Sequence, residues 1–227
     1  MLPINDALKS LLIRLDSIRE NDKPISYAEI AEVHGLSDAL WCCRVEPKYE
    51  RVWRQFVVWC ARQIQHLIKD PHCIEAISVA ERYLNGEASD ADLSKAEEDI
   101  LRNVSKDYTS WKAITSALDA YSNCQKGKVS EEELLTFVEK NIWNAILNDR
   151  HCVLCKQIAW ATVCKGICYQ IKNVAVQAAF MEAIALKDSN ININEKLAAI
   201  REKQKMEFIR IVNEAEPITT VIIEYYD

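Results

Sequence analysis

Four glycines and five prolines are all that punctuate this chain of 227 residues. A β-sandwich or barrel of that length turns back on itself about every 8 to 12 residues, and tight turns draw heavily on Gly and Pro. So few turn formers predict long stretches of helix and argue against an all-β fold. The length suits one large domain or two small ones, with enough chain to bury a substantial core. A hydrophobic share of 49% and a charged share of 27% are ordinary for a globular protein.

The apolar residues follow helical spacing between recognisable start and stop signals. Ile4, Leu8, Leu11, Leu12, Leu15 and Ile18 share one face and predict a helix over 4–20, stopped by Asn21 to Pro24. Ser26-Tyr27-Ala28-Glu29 is a capping box that opens a short helix ending at His34-Gly35. Ser37-Asp38 starts another, carrying Ala39 to Cys42 and closed by Glu46-Pro47. A long helix is expected from Lys48 to Lys69, and Asp70-Pro71 begins the next, which stops at Asn85-Gly86. Ser89-Asp90 opens one running to about Asn103, and Thr109 to Cys124 reads as a further one. Ser130 followed by Glu131, Glu132 and Glu133 is a strong start, a capping residue with three acids at the positive helix end.

Residues 131–187 predict two or three helices, with Asn148-Asp149-Arg150 and Gly166 as the available interruptions. Asn192 or Asn194 can cap a last helix that ends near Glu214. The β-branched and aromatic stretch 218–227 fits either a single strand or an extended tail. The sum is an all-α fold of about nine or ten helices stacked as antiparallel hairpins, read as a single domain over 1–227. A division into two subdomains near 124–128 is the alternative.

Charge narrows the function classes. The formal net charge is −6, and the densest basic stretch, Arg201 to Lys205, is interrupted by Glu202. Nucleic-acid binding needs a basic face that neutralises phosphates, so direct contact with DNA or RNA is not expected. A basic protein surface is the better match, since complementary fields speed encounter. No apolar run reaches the roughly 18 to 20 residues of a membrane span. The charged residues Asp6, Lys9, Arg14, Asp16 and Arg19 rule against a signal peptide in the first helix. Nine cysteines, an odd number that includes the adjacent Cys42 and Cys43, fit reduced thiols in a cytoplasm better than a disulfide framework.

The sharpest chemical constellation is Cys152 and Cys155 followed by Cys164 and Cys168. Zinc needs four converging ligands. At about 100° per residue the first pair shares one face and the second lies nearly opposite, about 18 Å along at roughly 1.5 Å per residue. That spacing favours cysteines used as small apolar packing residues, and no metal or cofactor is expected. Arg62 and His66 have the wrong spacing for a helical ribonuclease pair, and no phosphate loop, HExxH or GxSxG occurs. A non-enzymatic role is therefore expected, with a helical enzyme of unrecognised site as an alternative. Glu97, Glu98 and Asp99, with Glu131, Glu132 and Glu133, are the candidate binding acids, and each cluster can equally be a solvated or helix-start group. The six tryptophans either fill the core or mark a recognition surface.

One ordered series has a familiar look. Leu36-Ser-Asp-Ala-Leu-Trp-Cys-Cys-Arg44 precedes Arg51 to Arg62 with its Cys60-Ala61-Arg62 ending. Gln65 to Pro71 follows, then Ala76-Ile77 through Glu81, Gly86 and Ala88 to Asp90. This series resembles the immunity proteins of bacterial polymorphic-toxin systems, specifically those with an Imm-5-like domain. It covers about a third of the chain, and Trp160 to Gly166 is a faint version of a later motif. The resemblance implies a helical protein that neutralises a toxin by direct complex formation, with no catalytic residues to carry over. A phage-encoded inhibitor of a bacterial defence enzyme is the alternative of the same kind.

Overall fold

The computed structural model describes residues 25–104, 153–186 and 192–215. The expected helices over 4–20, 109–124 and the start of 131–187 lie outside them, as does the stretch 218–227. The described residues form eight α-helices and four short 3-10 turns, with no strand among them. The helices are α1 (Tyr27–Val33), α2 (Leu36–Cys42), α3 (Glu50–Gln63), α4 (Pro71–Leu84), α5 (Asp90–Val104), α6 (Val153–Val163), α7 (Ile171–Ala185) and α8 (Ile193–Glu214). The fold is all-α.

Most helix boundaries form where the sequence signals stand. Ser26 accepts from the Glu29 backbone N–H while the Glu29 carboxylate accepts from the Ser26 backbone, so the capping box of α1 closes both ways. Asp70 caps α4 through the His72 N–H with Pro71 in the first turn. The same helix ends in a Schellman arrangement, the Glu87 N–H reaching the Arg82 carbonyl and the Gly86 N–H reaching Tyr83. Gly86 has φ of 78°, the left-handed region that this ending requires. Ser89 and Asp92 form a second capping box at α5. Asn192, rather than Asn194, caps α8 by accepting from the Asn194 N–H.

Two boundaries differ from expectation. Gly35, not Ser37, occupies the N-cap of α2, so Ser37 and Asp38 sit inside the first turn. The helix expected over 48–69 is shorter, with 3-10 turns at Pro47–Tyr49 and Gln65–Leu67 flanking Glu50–Gln63. Pro47 has no N–H to give, and such helix ends commonly tighten to 3-10 geometry.

Helix α3 is the axis of the packing, touched by α4, α6, α7 and α8. Helix α6 packs on α4 and α5, and α7 on α8. Apolar residues surround α6 and α7 almost completely, from Leu154, Cys155 and Ile158 to Ala175, Ala178 and Met181, which suits helices enclosed by neighbours. The centre is aromatic. Trp53 is fully buried, 4.9 Å from Tyr27 and 6.3 Å from Phe208 between ring centroids, while Phe56 meets Phe208 edge-on at 5.3 Å. Polar ends of these rings find partners, as burial demands. The Trp53 indole donates to the Glu46 carbonyl at 3.0 Å and the Tyr27 hydroxyl to the Cys42 carbonyl at 3.1 Å.

The stretches that carry the family resemblance are largely packing. Leu36, Ala39, Leu40, Cys42 and Cys43 are buried in the first, and Ala76, Ile77, Val79 and Ala80 in the last. Arg62 joins the middle stretch to the last by pairing with Glu81.

Candidate interaction surface

Three polar features of the described residues could bear on function: a buried arginine, a set of buried thiols and an arginine near two aromatic rings at the surface. Arg54 projects from the core face of α3 and is only 2% exposed. It donates to the Thr162 and Cys164 carbonyls and to the Glu50 carboxylate, and lies over the Tyr83 ring at 5.6 Å. Those carbonyls belong to the end of α6, where the last turn leaves acceptors without intrahelical partners and the helix dipole is negative. A cation there satisfies both demands. Arg54 is thus a cap supplied from a neighbouring helix, and its Nε alone has no partner.

The seven cysteines among the described residues are all buried and unbridged. Burial pushes the Cys42 thiol up to about 12, with Asp38 adding to it. Burial likewise raises Cys164 to about 12, against the opposing pull of Arg54, and holds Cys43 well above its ordinary range. Thiols this far from ionisation are poor nucleophiles and poor metal ligands. Among the described residues no group of three or more His, Cys, Asp or Glu side chains is gathered as a metal would require. Cys152 lies outside the described residues.

The first acidic cluster sits on α5 with partners of its own. Glu97 accepts from the Trp160 indole at 3.1 Å and so helps to hold α6 against α5. Arg102, one turn on, pairs with Glu98 at 3.0 Å and approaches Asp99 at 3.7 Å. Glu98 is exposed, and the three acids do not form a bare negative patch. Glu131, Glu132 and Glu133 lie outside the described residues.

The third feature was not singled out from sequence. The 3-10 turn after α2, Cys43–Val45, packs against the 3-10 turn Ile167–Tyr169. Arg44 from the first and Tyr169 from the second meet there, and Trp41 completes the set. The Arg44 guanidinium carbon lies 5.8 Å from the Trp41 ring centroid and 5.8 Å from that of Tyr169. Tyr169 is 51% exposed, and Trp41 and Arg44 are half-buried. Gly166, at φ of 70°, turns the chain out of α6 through the left-handed region that favours glycine. A Cβ at that position would meet the Tyr169 ring at 3.5 Å, an ordinary contact, so the backbone conformation and not space is what calls for glycine. Trp, Tyr and Arg are the residue types enriched at binding hot spots, and here a packed helical corner fixes them in place. Two residues at i and i+3 in sequence hinted at the pairing, but Tyr169 is brought in only by the tertiary fold.

No protein-family model, curated protein or solved structure matches the chain.

Proposed function

We propose that this protein acts by binding another protein and not by catalysis, as an inhibitor of the immunity type that neutralises a toxin through a direct complex. The observation that carries the reading is the Trp41–Arg44–Tyr169 set, an aromatic and arginine surface on a corner that packing holds rigid. Rigid anchors of this kind lose little conformational freedom on association, which favours recognition. The other prominent polar groups have structural work: Arg54 caps α6, and Glu97 joins α5 to α6. A net charge of −6 adds long-range attraction to a basic partner. The resemblance over residues 36–101 supports the toxin-neutralising form of the reading, because Trp41 and Arg44 lie in its first stretch.

The test is affinity capture from the native host followed by co-expression. A captured protein that arrests growth when expressed alone, and is tolerated when this chain is expressed with it, is the expected result. A captured protein whose toxicity is unchanged by the chain contradicts the reading. A captured phage-defence enzyme, silenced by the chain, would instead favour the alternative inhibitor.

A further inference from the structure

We draw no further inference here: the strongest candidate, the side-chain cluster of Glu50, Arg54 and Tyr83 where α3 and α4 meet the end of α6, belongs to the capping contact already described, in which Arg54 holds the Thr162 and Cys164 carbonyls.

Discussion

Arg54 enters the interior because α6 ends there, and its two carbonyl partners replace the water it leaves behind. Replacing it with Met keeps much of the volume and strands the Thr162 and Cys164 carbonyls. Leaving buried acceptors unmade costs about 1–3 kcal/mol, so chemical denaturation of Arg54→Met should show a loss in that range. No loss would mean that the carbonyls find water. Burial also governs the thiols. Seven of the nine cysteines are buried, so an aromatic disulfide reagent near neutral pH should modify no more than two quickly in the native chain and all nine after denaturation. Rapid modification of more than two would contradict the packing role. The sequence made the cysteines legible as packing residues because they stand among Ala, Val and Ile. It did not single out Arg54, although a charged residue in the apolar stripe of Trp53, Phe56, Val57 and Ala61 is the sign to look for.

At the scale of elements, capping decides where helices begin, and capping is local chemistry. Most of these boundaries could accordingly be read from short motifs such as Ser26 to Glu29 and Asp70-Pro71. The start of α2 could not, since Gly35 supplies no side chain to read and Ser37-Asp38 imitates a cap two residues too late. Both capping boxes carry a pH signature. The backbone N–H of Ser26, then its hydroxyl, hold the Glu29 carboxyl below its ordinary 4.5, and Ser89 holds Asp92 below 3.8, chiefly through its hydroxyl. A lowered folded-state value means that the stabilisation is complete above the ordinary value and is lost as pH falls through the lowered one. The melting temperature should therefore drop below about pH 4.5, and drop less steeply in the Ser26→Ala, Ser89→Ala double variant. That variant should start less stable near neutral pH, by about 1 kcal/mol for each lost cap. Parallel curves for variant and wild type would show that the boxes do not titrate with folding.

At the scale of the molecule, eight described helices wrap an aromatic centre, and the candidate surface lies where two 3-10 turns from distant parts of the sequence touch. The all-α class was legible because turn formers are scarce and apolar spacing is helical. The surface was not, because Arg44 and Tyr169 are joined only by the packing of α2 and α6 through their following turns. The acids of α5, prominent in sequence, have partners within the fold in Arg102 and Trp160. No helix among the described residues is long and apolar enough to cross a membrane. Stoichiometric inhibition is the claim on which the functional account turns. Its most direct test is to titrate the captured partner, at a concentration well above the dissociation constant, with purified chain while following the partner's own activity. The account predicts a linear fall that ends in a fixed, small-integer complex. Inactivation of many partner molecules by each copy of the chain would contradict it and place the protein among the enzymes.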